Sequence, residues 1–487
     1  MKIAEISPEI VPYAKTGGLA DVAGTFPIHL EKAGHEVFMF TPLYKSARTT
    51  GIDIKLLDVT LKVPVGDHVH TGHIWECIHS GSKNIKVYFI QRDEYYNRDS
   101  LYGTELGDFS DNPERFIFFS RAVIEAIKKL GLAIDIIHCH DWQTALIPVY
   151  LKTLYNKTKS LSHLKTILTI HNLAYQGLFP QDVVKLTGLD WSLFNWKQLE
   201  HWGKINFLKG GIVFADVVTT VSKRYAEEIR TVEFGCGLED VLKGHGKKLH
   251  GIINGVDYAQ WSPKNDNLIL HKYSVENLRG KALCKKHLQK VLDIPQTKAP
   301  LLGMISRLTE QKGVDLLIVI MEKLMKKDLQ LVILGIGEEK YQNILREAIP
   351  KYNKKLSVNI MFDNQLAHQI EAGADIFLMP SKYEPCGLNQ IYSLKYGTIP
   401  IVRETGGLYD TIIDANGEKS KNKNATGFTF KGYYASEFIS AIDRALGLYK
   451  SKTKWNVLRK NAMKQDWSWE KSAKEYVELF KTVLGES

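Results

Sequence analysis

Two doubly wound α/β domains are what this chain predicts, and three observations predict them. Its 487 residues exceed the roughly 250 to 300 at which a single hydrophobic core stops growing. Short apolar, β-branched runs recur along it, separated by longer stretches of helical period. Hydrophobic residues make up 44% and charged residues 24%, a globular balance with Pro and Gly too sparse for a fibrous or disordered chain.

The runs read as strands at Lys2 to Ser7, Glu36 to Pro42, Lys86 to Gln91, Ile134 to His140, Lys165 to Asn172, Val217 to Ser222 and Leu249 to Asn254. The pattern repeats at Leu301 to Arg307, Gln330 to Gly335, Val358 to Phe362, Ile376 to Ser381, Ile399 to Thr405 and Gly427 to Phe430. Strand alternating with helix implies a parallel sheet covered on both faces, once in each half. The join falls near Asn254-Gly-Val-Asp257, where a strand ends in a turn signal. The expected division is a Rossmann-like domain over residues 1–253, a second over 254–465, the two facing a central cleft, and a terminal helix over 466–487. That helix places Trp469, Ala473, Tyr476, Val477, Phe480 and Leu484 on one face, so it must pack against something apolar.

Ligands of open α/β sheets sit beyond the carboxyl ends of the strands, so those ends are where function is sought. After the first strand, Leu19, Val22, Ala23, Phe26 and Leu30 form a helical stripe that begins just past Thr16-Gly-Gly18. A glycine loop with free amides at a helix N-terminus favours phosphate. Pro27, inside the stripe, is expected to kink or shorten the helix.

Composition removes several function classes. Five scattered cysteines do not describe a disulfide framework, and the first residues alternate as a strand rather than as a secretory leader, so a cytoplasmic protein is expected. No apolar run approaches a membrane span. The net charge of +10 is spread over diffuse lysines, as in the stretch Glu418 to Lys423 that reads as a solvated loop, and no nucleic-acid module accompanies it.

The most informative stretch is Lys15-Thr-Gly-Gly-Leu-Ala-Asp21: a cation, two glycines permitting close backbone approach, and a helix start. It resembles the donor-binding loop of bacterial glycogen and starch synthases. Six further stretches match that family in the same order across nearly the whole chain: His140-Asp-Trp142, His171 to Gly177, Asn254 to Asp257, Ser306 to Gly313, Glu384 to Leu388 and Thr405-Gly-Gly407. The resemblance implies a GT-B fold with an acceptor-side and a donor-side domain. It further implies a retaining glucosyltransferase that takes ADP-glucose or another nucleotide-glucose and extends an α-1,4-glucan, with neither cofactor nor metal ion.

Carried over residue by residue, the resemblance makes His171, Glu384 and Asp141 catalytic. It assigns the donor to Lys15, Gly17, Gly18, Asp21, Asn172, Asn254, Arg307, Lys312, Cys386, Gly387, Thr405, Gly406 and Gly407. The chemistry of these residue types agrees. Arg307 and Lys312, following a strand, can neutralise a diphosphate leaving group, and the amides of Thr405-Gly-Gly407 suit a second phosphate cradle. Glu384 is expected to bind the glucosyl hydroxyls. Where many GT-B enzymes carry a second glutamate, eight positions on, this chain has Tyr392, which disfavours a mechanism needing a carboxylate pair. The route then implied is front-face displacement, the departing phosphate helping to deprotonate the acceptor.

Two competing motifs are weaker. His138 and His140 share a strand face, but this segment holds no further zinc ligand, since Cys139 points the other way. Gly335-Ile-Gly337 follows a strand but has Lys340 where a dinucleotide fingerprint needs its third glycine. The rival functions are a retaining transferase with another acceptor and a non-catalytic glucan- or polyanion-binding protein. Oligomeric state is not legible.

Overall fold

The computed structural model describes residues 1–415 and 424–486, so the stretch Glu418 to Lys423 lies outside the described residues. The chain divides into two compact units, Met1–Gly255 with Trp469–Ser487, and Val256–Ser468.

The first unit is built on a nine-stranded sheet. From one edge its order is Leu249–Gly251, Val217–Thr220, Lys165–Ile170, Ile136–His140, Lys2–Ile6, Glu36–Pro42, Lys86–Gln91, His68–Ile78 and Lys55–Val65. The first seven run parallel. The last two add an antiparallel hairpin that the strand reading above omits. Central strands such as Ile136–His140 are buried along their whole length, as a sheet covered on both faces requires. The hairpin alternates exposed and buried positions, as a strand with one wet face does.

The helix Gly18–Lys32 buries Leu19, Val22, Ala23, Phe26 and Leu30. Pro27 does not shorten it, since the helix continues five residues beyond that position to Lys32. The missing N–H removes one bond, and a buried apolar stripe outweighs it. The terminal helix Trp469–Leu484 belongs to this unit. It buries Trp469, Ala473, Tyr476, Val477 and Phe480 in the same core as Val22 and Phe26. Ring centroids of Phe26 and Tyr476 are 4.7 Å apart.

The second unit carries a six-stranded, wholly parallel sheet in the order Leu356–Asn359, Gln330–Leu334, Leu301–Ile305, Ile376–Met379, Ile399–Arg403 and Phe428–Phe430. Gly335 and Gly337 serve packing here. A Cβ on Gly335 would lie 1.8 Å from the Ser306 carbonyl oxygen, and one on Gly337 would lie 2.2 Å from that of Leu308. Both glycines let adjacent strand-end loops touch.

Candidate active site

In the first unit the carboxyl ends of four parallel strands carry the residues singled out from sequence. After Lys2–Ile6 comes the glycine loop, whose Gly17 is the N-cap of the helix that follows. The loop's first amides are not free, which corrects the cradle expected there. The buried Glu9 carboxylate accepts from Thr16 N (2.6 Å), Thr16 Oγ1 (2.6 Å), Gly17 N (3.2 Å) and the Tyr102 hydroxyl (2.8 Å). An acidic side chain thus occupies the anion-favouring end of the loop, and only amides from Gly18 onward remain for a ligand. Lys15 Nζ donates to both Asp21 oxygens, at 2.7 and 2.9 Å, in an ion pair open to solvent.

After Ile136–His140 comes Asp141, held at φ 57° in the left-handed region that a non-glycine residue enters at a cost. That turn aims its Oδ1 at the His171 N–H, 2.7 Å away at the end of the neighbouring strand Lys165–Ile170. Burial pushes the Asp141 carboxyl up to about 7, against the His171 and Asn172 amide bonds that favour its charged form. Asn172 Oδ1 accepts from Ala174 N and so fixes the loop. A Cβ on Gly177 would lie 2.5 Å from the Trp142 ring, so the His140-Asp-Trp142 and His171 to Gly177 segments are fitted to one another.

His171 is also tied to the strands behind it. Its Nε2 is 2.9 Å from His140 Nδ1, His140 Nε2 is 3.0 Å from Glu5 Oε2, and Glu5 Oε1 is 3.0 Å from His138 Nδ1. His138 Nε2 continues to Thr169 Oγ1 at 2.6 Å, and Thr169 Oγ1 to Thr219 Oγ1 at 2.5 Å. Glu5, His138 and His140 bring ligand-type atoms within 4.8 Å of one another, a third group that one segment's spacing could not reveal. Those atoms face each other in hydrogen bonds, which a cation would have to replace. Burial, then the charge of His138, brings His140 down to about 4. Burial, then His140 and His138, holds His171 well below the ordinary histidine value. Burial raises Glu5, but the two histidines outweigh it and lower the carboxyl to about 2. Asn254, past Leu249–Gly251, is buried, and its Oδ1 has no partner among the described residues.

In the second unit, Arg307 and Lys312 follow Leu301–Ile305. Arg307 is exposed, with Nη2 3.3 Å from Gln311 Oε1. Lys312 Nζ is 2.6 Å from Glu384 Oε2, which also accepts from Ser381 Oγ at 3.0 Å. The pair is well shielded, with the Lys312 side chain 19% exposed and that of Glu384 7%. Glu384 is therefore held in a shielded ion pair rather than a surface one. Its partner is one of the cations assigned to the diphosphate.

Thr405-Gly-Gly407 lies against the backbone of this same loop. Gly407 N–H donates to the carbonyls of Glu384 and Pro385, both at 3.1 Å, and Thr405 N–H to that of Arg403 at 2.9 Å. Those two amides are committed within the protein. The glycines are needed for contact instead: a Cβ on Gly406 (φ 44°) would sit 2.0 Å from the Glu384 oxygen, and one on Gly407 2.0 Å from the Cys386 oxygen. Gln390, absent from the sequence-derived set, donates from Nε2 to the carbonyls of Cys386 (2.9 Å) and Gly387 (3.0 Å). Tyr392 stacks on Trp261 at 3.9 Å, and Trp261 on His368 at 3.7 Å, so an aromatic sandwich fills the second glutamate's position.

The structure thus brings Asp141, His171 and Asn172 together, pairs Lys15 with Asp21, and joins Lys312, Glu384, Cys386, Gly387 and Thr405 to Gly407 in one loop cluster. Asn254 shares no hydrogen bond with them among the described residues. Glu5 was missed because its two histidines reach it only through the fold, whereas Glu9, Ser381 and Gln390 lie close in sequence to their partners but outside the motifs.

Residues 2–244 match the family of starch synthase catalytic domains, and residues 287–465 match glycosyl transferases group 1. The fold is also that of a sucrose-phosphate synthase from Thermosynechococcus elongatus, with TM-score 0.62 at 18% identity, each chain covered completely. Fold and strand-end residues together define a glycosyltransferase with the GT-B fold. The chain is 47% identical over 481 residues to the glycogen synthase of Koribacter versatilis (strain Ellin345), covering 99% of this chain and 98% of that protein. It is 46% identical over 494 residues to that of Thermotoga maritima, covering 99% of each. The catalytic domain of starch synthase IV from Arabidopsis thaliana, bound to ADP and acarbose, superposes with TM-score 0.91 at 33% identity over 99% of both chains. This chain belongs to the glycogen synthase family of hexosyltransferases.

Proposed function

We propose that this protein transfers glucose from ADP-glucose to the non-reducing 4-hydroxyl of an α-1,4-glucan with retention of configuration. The observation that carries the choice of ligands is the likeness, over the whole chain, to a starch synthase holding ADP and acarbose.

The side chains support a division of labour. Arg307 and Lys312 offset charge as it builds on the departing diphosphate, and Lys15, which pairs with Asp21, adds a further cation on exchanging partners. Gly17 and Gly18 allow the donor close to the loop backbone, and Asn172, Asn254, Cys386 and Gly387 line the donor. Glu384 accepts from glucosyl hydroxyls, and Lys312 and Ser381 hold its carboxylate in place. Gly407 supports the Glu384 loop through its amide, and Thr405 to Gly407 border the donor phosphates. His171 steadies the reacting sugar. Asp141, with a carboxyl near 7, can donate to a hydroxyl or accept from one at neutral pH.

The test incubates the protein with ADP-glucose or UDP-glucose and glycogen, measuring nucleotide release and glucan growth. ADP release with glucan growth is expected. Nucleotide release without growth would reassign the acceptor, and absence of release with either donor would overturn the transferase reading.

A further inference from the structure

Hydrogen-bond direction can be followed through the buried chain behind His171. An ionised carboxylate only accepts, so His138 Nδ1 and His140 Nε2, each 3.0 Å from a Glu5 oxygen, must both carry hydrogen. A neutral His140 with hydrogen on Nε2 has a bare Nδ1, and the group 2.9 Å from that nitrogen is His171 Nε2. His171 must then donate from Nε2. Its Nδ1 is left bare, and the described residues offer that atom no hydrogen-bond partner.

We propose that Glu5 is a positioning residue that acts through His140 to hold His171 as the Nε2–H tautomer, presenting Nδ1 to the substrate purely as a hydrogen-bond acceptor. The proposal rests on the transferase reading above, and it names what sets the polarity of that site. A bare nitrogen accepts from a sugar hydroxyl and cannot compete for its lone pairs, so the direction of one contact is fixed before substrate arrives.

The surroundings keep the arrangement in one state. Glu5, His138 and His140 are almost fully buried. Phe26 covers His138 from the helix Gly18–Lys32, and Tyr476 and Phe480 cover it from the terminal helix. Thr169 and Thr219 close the far end. The charged groups next to this chain on neighbouring segments are the Asp141 carboxyl, which accepts the His171 amide, and Glu9, whose charge acts on Asp141. The carboxyl at about 2 and His140 at about 4 put the required protonation states in place across the neutral range.

The experiment labels the histidines with 15N and reads the ring nitrogens of His171 in the full-length protein from pH 5.5 to 8. A hydrogen-bearing Nε2 and a bare Nδ1 throughout that range are expected. Hydrogen on Nδ1, or titration of His171 within the range, overturns the proposal whether or not the protein proves to be a transferase. The Glu5→Gln variant then tests the cause, because an amide offers one acceptor where the carboxylate offered two, and one imidazole must turn to meet it. The expected result is an altered His140 or His171 spectrum with kcat about tenfold lower and both KM values nearly unchanged, one hydrogen bond in the transition state being reversed. A Glu5→Gln protein with wild-type spectra and wild-type kcat also overturns the proposal. Wild-type protein that transfers no glucose at all fails the transferase reading instead and leaves the tautomer result standing.

Discussion

Replacing Lys312 by alanine separates the ion pair that the structure gives this ammonium group from the leaving-group role proposed for it. Glu384 Oε2 receives Lys312 at 2.6 Å and Ser381 at 3.0 Å, and the Glu384 side chain is 7% exposed. Without Lys312 a buried carboxylate keeps one hydroxyl donor and no countercharge. Breaking a buried pair from one side costs about 3 to 5 kcal/mol, and the partial exposure of Lys312 points to the lower end. Lys312→Ala is therefore expected to destabilise the protein by roughly 3 kcal/mol. Loss of the charge-assisted contact proposed for Lys312 with the leaving group should lower kcat/KM about tenfold to a hundredfold. Glu384→Gln in the same chain removes the stranded charge, so the double variant should recover most of the stability and none of the turnover. Urea midpoints and kcat/KM for the four proteins of the cycle measure both. Strict additivity of the stability losses, or normal turnover in Lys312→Ala, would refute the reasoning.

Gly406→Ala should cost more than about 2 kcal/mol, since its Cβ would meet the Glu384 carbonyl at 2.0 Å in a left-handed conformation; a wild-type urea midpoint would contradict that packing. Asp141 has its folded carboxyl raised from 3.8 to about 7, so the native state holds a proton that the unfolded chain releases, and this group's contribution to stability falls as pH rises between those values. Asp141→Asn should remove that decline, and urea midpoints from pH 4 to 7 that keep the wild-type slope would show that Asp141 is not its source. Because Arg307 and Lys312 can carry the charge stabilisation, turnover should survive EDTA; activity lost to the chelator and restored by one added ion would show otherwise. NMR of the new linkage should find the α anomer, and a β product would exclude retention.

The parallel strands were legible because burial on both faces forces continuous β-branched runs, as in Ile136–His140. The hairpin Lys55–Val65 and His68–Ile78 escaped because its wet face breaks the run. Its signals were the alternation itself and the Gly66-Asp67 turn between the two strands. In the site, residues next to their motif partners, such as Asp141 and the Glu384 loop, could be found. Glu5 could not, since it meets its two histidines 133 and 135 residues away, through register between neighbouring strands. The glycine loops show how one pattern can have a different physical reason. Glu9 occupies the first loop's leading amides, and Gly406 and Gly407 are glycines because the Glu384 and Cys386 carbonyls leave no room for a Cβ.

The terminal helix has a consequence for how the protein is made. Trp469 to Phe480 complete the first unit's core, although every residue of the second unit is synthesised before them. Residues 1–255 are therefore made well before the helix that covers Phe26 and His138, and these stay uncovered through synthesis of the whole second unit. A nascent chain stalled near residue 468 should therefore expose an apolar surface to chaperones. The same helix supplied as a separate peptide should bind a chain truncated there and protect that surface.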